Sequence, residues 1–129
     1  EIVVTNKSLN ERLKMSKKTE ISYALRNFIE NAIKFLKTSI NIEINQQKKN
    51  TIITIDDDGA GFDENIISSL GQPYVSSEKV RENKQGMGLG IFISKNLLER
   101  CSAKVVFSNK KNAGALVMIE WANAQLANL

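Results

Sequence analysis

From Ile21 to Leu36 the apolar side chains fall at Leu25, Phe28, Ile29, Ala32, Ile33 and Leu36, in steps of 3, 1, 3, 1 and 3. That stripe predicts an amphipathic helix. The period then drops to two. Ile40, Ile42 and Ile44 alternate with polar residues, and Ile52, Ile53 and Ile55 run into Asp56-Asp57-Asp58. Both runs predict strands, and the polar stretch QQKKN at 46–50 predicts a hairpin turn between them. Residues 65–70 suit a short helix. Residues 71–85 hold the single proline, Pro73, and make a loop of about 15 residues, long enough to suggest function or disorder. A helix is expected to open at Gly86 to Gly90 and to run to about Arg100, with Leu89, Ile93, Leu97 and Leu98 on its apolar side. Strands follow at 103–108 and 115–121. EIVVT at the start suits a further short strand, residues 6–18 carry no clear pattern, and the tail 122–129 is expected to fray. This order predicts a two-layer α/β (α+β) sandwich, with a mixed, mostly antiparallel sheet packed on about three helices.

Composition narrows the chemistry. The 129 residues suit one domain, with 42% hydrophobic and 25% charged residues. No run approaches the roughly 18 apolar residues of a membrane span. The first residue is Glu1 and no signal peptide is visible, so the chain is expected to be part of something longer. The net charge of +4 is scattered, with small clusters at Lys17-Lys18, Lys48-Lys49 and Lys110-Lys111. No aromatics interleave with a basic stripe, so these lysines suit solvated loops better than a nucleic-acid surface. The lone Cys101 allows no internal disulfide, which fits a cytoplasmic location. Histidine is absent. That excludes Ser-His-Asp and Cys-His catalysis within the chain, and a histidine-ligated or structural zinc site. Chemistry must rest on carboxylates, amides, lysines, arginines and backbone groups.

Three constellations could carry it. Asn27, Asn31 and Lys34, at i, i+4 and i+7, share one side of the first helix. Two amides and an amine can hold Mg²⁺ and phosphate oxygens, since Mg²⁺ takes few protein ligands. The same line is also what a plain solvent face looks like. Asp57-Asp58-Gly59-Ala60-Gly61 ends an apolar strand. Its glycines let the backbone turn sharply, and its carboxylate can accept from an exocyclic amine such as that of adenine. A simple strand-end turn would also be written this way. Gly86-Met87-Gly88-Leu89-Gly90 precedes a helix, where exposed N–H groups and the helix dipole can cradle phosphate. The spacing matches neither G-x-x-x-x-G-K-[ST] nor G-x-G-x-x-G, and a flexible hinge is the other reading.

Taken together and in this order, the segments resemble the GHKL ATPase superfamily, with its Bergerat fold, and within it the catalytic domains of sensor histidine kinases. Residues 27–35 resemble the N box, 57–62 the G1 box and 86–91 the G2 box. Gln72-Pro73-Tyr74-Val75-Ser76 stands at the F-box position. The match covers about residues 21–121. The stretch 70–77, with GMGLGIFISKNLLER after it, is most similar to the RegB/PrrB redox-responsive kinases.

The resemblance implies roles. Asn31 would coordinate the Mg²⁺ that bridges the ATP phosphates, with Asn27 and Lys34 assisting there. Phe35 would pack beside the nucleotide. Asp57 would bind the adenine amine, and Gly59 and Gly61 would shape its pocket. Residues 71–87 would form the ATP lid, with Lys79, Arg81, Lys84 or Gln85 reaching the γ-phosphate. Gly86, Met87, Gly88, Leu89 and Gly90 would line the phosphates. The phosphoryl acceptor would be a histidine on a separate dimerisation domain, with a response regulator downstream. Membrane attachment would come only through upstream segments, and this chain would be monomeric. Hydrolysing members of the superfamily place a glutamate where Asn27 stands, and an amide cannot act as that base.

Three departures stand out. There is no acceptor-histidine motif, so the chain alone is not expected to phosphorylate itself. Leu70-Gly71 replaces the leading phenylalanine of the F box, and Gly114-Ala115 stands where a Gly-Thr pair is common. Alternatives with the same ATP fold are an anti-sigma type serine kinase, a nucleotide-sensing module without chemistry, and a DNA-linked ATPase of the gyrase or MutL type.

Overall fold

The computed structural model describes residues 1–7, 18–70 and 89–129. These form five strands, β1 (Ile2–Asn6), β2 (Ile40–Gln46), β3 (Asn50–Asp57), β4 (Lys104–Asn109) and β5 (Ala115–Ala122). The four described helices are α1 (Thr19–Phe35), α2 (Glu64–Leu70), α3 (Leu89–Arg100) and the single-turn α4 (Asn123–Leu126). The sheet order is β1-β2-β3-β5-β4. Only β1 and β2 pair in parallel, and the remaining pairs are antiparallel. The expected mixed, mostly antiparallel sheet is therefore present, and its helices complete a two-layer α/β sandwich.

The period-two pattern sorts the sheet into two faces. Ile42, Ile55, Val117 and Phe107 lie side by side across β2, β3, β5 and β4, as do Ile44, Ile53, Ile119 and Val105. This face carries the buried core residues Ile40, Ile55, Phe107, Val117, Ile119 and Trp121. Helices α1 and α3 pack against each other above it, α1 over β3 and α3 over β4. Phe107 sits between Phe28 of α1 and Phe62, edge-on to both, with ring centroids 5.6 Å apart in each pair. Such T-shaped contacts add to simple burial.

Three expectations need correction. First, Ile33 is 48% exposed, because α1 buries the row Ile21, Ala24, Phe28 and Ala32, with Leu25 and Ile29 only packed along its edge. The two alanines let the helix approach the sheet, and Ile33 turns away from it. Second, the inner row of α3 is Ile91, Ser94, Lys95 and Leu98, whereas Ile93 and Leu97 are half-buried. Ser94 belongs in that row because it meets a polar partner on α1, and the Lys95 ammonium pairs with Glu99 one turn on. Third, the tail does not fray. Leu126 is buried. Asn123 ties the tail to the β2–β3 turn: its amide donates to the Gln47 carbonyl at 2.6 Å and its Oδ1 accepts the Thr51 hydroxyl at 2.6 Å.

Candidate nucleotide site

The carboxyl end of β3 and the last two turns of α1 lie together at one end of the sheet. β3 delivers Asp57 into the interior, where it is only 5% exposed. Burying a carboxylate is costly unless hydrogen bonds satisfy it. The Gly59 N–H donates to Asp57 Oδ1 at 2.8 Å, and the Ala115 N–H lies 3.4 Å from the same oxygen. Among the described residues nothing donates to Oδ2. Among the described residues the carboxylate is thus held by one oxygen only.

The turn after Asp57 is very tight. A Cβ on Gly59 would stand 2.0 Å from the Phe35 carbonyl oxygen, so only glycine fits between the turn and the end of α1. From the other side Gly114 adopts φ 107°, and a Cβ there would stand 1.8 Å from the Asp57 carbonyl oxygen. Gly61 is buried against the Asn109 carboxamide. Asn109 then pairs with Phe62 as a strand would, accepting its N–H at 2.7 Å and donating to its carbonyl at 2.9 Å.

Asn27, Asn31 and Lys34 lie along one side of α1, as their spacing predicts. Asn27 Nδ2 donates to Ser94 Oγ at 3.2 Å, which orients this amide and joins α1 to α3. Asn31 is half-buried and makes no side-chain hydrogen bond among the described residues. Lys34 is exposed, with Nζ 5.4 Å from the ring centroid of the half-buried Phe35. Leu89 and Gly90 open α3. Gly90 is exposed, and a Cβ there would meet nothing within 4 Å among the described residues. The remaining expected site residues, Lys84, Gln85, Gly86, Met87 and Gly88, lie outside the described residues, as do the rest of the expected lid and the F-box segment.

Sequence reasoning missed four residues that build this site. Ser94 and Asn109 make the bonds just given. Lys110 Nζ pairs with Asp56 at 2.9 Å, joining the ends of β4 and β3. Asp58 binds the turn that follows α1, with its carboxylate accepting the backbone N–H groups of Lys37 at 2.9 Å, Thr38 at 2.9 Å and Ser39 at 3.2 Å. The Thr38 hydroxyl also donates to it. That hydroxyl first, then the backbone donors, hold the Asp58 carboxyl well below the usual carboxylate range. The available signal was Thr38-Ser39 directly after a helix, facing a strand-end run of three aspartates.

The family described as "Histidine kinase-, DNA gyrase B-, and HSP90-like ATPase" matches residues 16–125. The sensor histidine kinase RegB of Cereibacter sphaeroides is 33% identical over 122 residues, covering 81% of this chain and 26% of that protein. The sensor histidine kinase CssS of Bacillus subtilis is 32% identical over 87 residues, covering 67% of this chain and 18% of that protein. The chain thus spans about a quarter or less of the length of these relatives. Among solved structures, the catalytic domain of histidine kinase ThkA superposes with a TM-score of 0.70 at 22% identity, covering 96% of this chain and 82% of that one. Full-length ShkA in complex with AMPPNP gives 0.66 at 18% identity, covering 93% and 25%. These structural matches establish a shared fold. No described helix is long and apolar enough to cross a membrane.

Proposed function

The chain belongs to the histidine kinase-, DNA gyrase B-, and HSP90-like ATPase family, as a catalytic domain of the sensor histidine kinase kind, and we propose that it binds Mg·ATP between α1 and β3 and passes the γ-phosphoryl group to a histidine on a separate dimerisation domain. The observation that carries this reading is Asp57, a buried carboxylate with one oxygen held by the Gly59 N–H and the other open among the described residues. An adenine amine would supply Oδ2 with a donor, which none of the described residues provides.

Asn31 and Lys34 then face the phosphates. A hard cation takes oxygen ligands, and the Asn31 carboxamide offers one beside the ligand's phosphates and water. Among the described residues no group of three acidic, histidine or cysteine side chains is placed to hold a metal ion, and the Asn31 amide is the Mg²⁺ ligand that these residues offer beside the nucleotide itself. Bound Mg²⁺ supplies charge neutralisation. Lys34 adds a cation nearby, and Phe35 offers a ring edge to the nucleotide. Residues 84–90 are the remaining candidates for the phosphates. Phosphoryl transfer demands positioning and charge more than covalent chemistry, and these residues supply both.

Asn27 favours transfer over hydrolysis. Its amide is already donating to Ser94, and an amide cannot take a proton from water. A histidine-bearing domain of the same protein, a response regulator downstream and a cytoplasmic location where ATP is available complete the proposal, with this chain monomeric on its own. To test it, the chain is mixed with that histidine-bearing domain and γ-labelled Mg·ATP. Acid-labile, alkali-stable label on the added domain is expected. Acid-stable label on serine, or release of free phosphate alone, contradicts it.

A further inference from the structure

We propose that Asp58 is a positioning residue, holding the adenine half and the phosphate half of the nucleotide site in fixed register. The proposal rests on the Mg·ATP site described above. Its adenine half is Asp57 and Gly59, at the exit of β3. Its phosphate half is Asn31 and Lys34, in the last turns of α1. The two halves belong to different elements, so something must fix their separation.

Two contacts do so. Helix α1 ends with the Leu36 N–H on the Ala32 carbonyl at 2.8 Å, and the backbone then turns extended. The next three N–H groups, of Lys37, Thr38 and Ser39, converge on the Asp58 carboxylate, joined by the Thr38 hydroxyl. Beside them, Gly59 lies against the Phe35 carbonyl with no room for a side chain. Asp58 therefore clamps the end of α1 to the turn that carries Asp57. Its oxygens are already engaged by donors, so it acts through these neighbours and not by touching nucleotide. A ligand that bridges two elements binds fully only when both are preorganised, whereas a ligand confined to one half is indifferent to the link.

The test compares two ligands on Asp58→Ala and Asp58→Asn. Mg·ATP, titrated by calorimetry, spans both halves. Adenosine, titrated by chemical-shift changes, engages only the Asp57 half. Asp58→Ala is expected to lose about tenfold or more in Mg·ATP affinity, the scale of a charge-assisted hydrogen bond. Its adenosine affinity should change by less than about twofold on the same scale. Asp58→Asn keeps an acceptor oxygen and should fall between wild type and Asp58→Ala. If Asp58→Ala does not fold, Thr38→Val removes only the hydroxyl donor and should show the same asymmetry at smaller size. Equal losses with both ligands, or no loss with Mg·ATP, overturn the proposal. Failure of the wild-type chain to bind Mg·ATP is a different result, and it overturns the site assignment instead.

Discussion

Asn27 on α1 and Ser94 on α3 share a hydrogen bond of 3.2 Å, and Ser94 is fully buried there. The two helices that flank the candidate site are thus joined by a polar contact inside an apolar seam. Ser94→Ala leaves the Asn27 amide without its partner. The expected cost is about 1 kcal/mol in chemical denaturation. A double-mutant cycle with Asn27→Ala should return a coupling of roughly 0.5–1.5 kcal/mol, and additive effects would mean that the bond contributes nothing.

The glycines of the site separate packing from binding. Gly59→Ala forces a Cβ against the Phe35 carbonyl, so a loss of about 1–3 kcal/mol in stability is expected. Gly90→Ala meets no described atom within 4 Å in a helical turn, so stability should hold or rise by up to about 1 kcal/mol. Its Mg·ATP affinity should nevertheless drop, because a methyl group crowds the expected phosphate cradle. Thermal melts and nucleotide titrations on both variants check this, and full ATP affinity in Gly90→Ala would remove that residue from the site.

Acid should act on Asp58. Its folded carboxyl is held below the ordinary value near 3.9 by the Thr38 hydroxyl and the backbone donors. A depressed carboxyl stabilises the fold above its unfolded pKa and loses that contribution as pH falls through the folded one. The stability difference between wild type and Asp58→Asn should therefore be constant above about pH 5 and shrink below about pH 4. Denaturation midpoints measured across that range check it. A difference that stays constant to the acid limit of folding would show that the charge is not what Asp58 contributes.

The tail offers a plainer test. Removing residues 123–129 uncovers the core surface against which Leu126 is buried and strips the Asn123 bonds from the β2–β3 turn. A loss of roughly 2–4 kcal/mol is expected by denaturation. A truncated chain of unchanged stability would mean that the tail contributes nothing.

Much of this was legible in the chain. The period of 3.6 marked α1, strict alternation marked β2, an apolar run into three aspartates marked β3, and Asp57 stood out as a carboxylate ending an apolar strand before glycines. What escaped was set by tertiary contact. Ile33 has the same apolar character as Phe28, and only the sheet decides which of them is covered. Ser94 is unremarkable until Asn27 arrives opposite it from 67 residues away in the chain. Leu126 looked like a loose terminal residue because nothing local signals that it joins the core. Asp58 reads as one aspartate of three, and its partners lie across the turn from α1.

The central claim is that Asp57 receives the adenine of ATP. Calorimetric titration of Mg·ATP into the wild-type chain and into Asp57→Asn tests it most directly. The wild type should bind, and the variant should bind about tenfold to a hundredfold more weakly at similar stability, because its amide replaces a charged acceptor. Equal affinity in the two, or no binding by the wild type at millimolar ATP, would contradict the account.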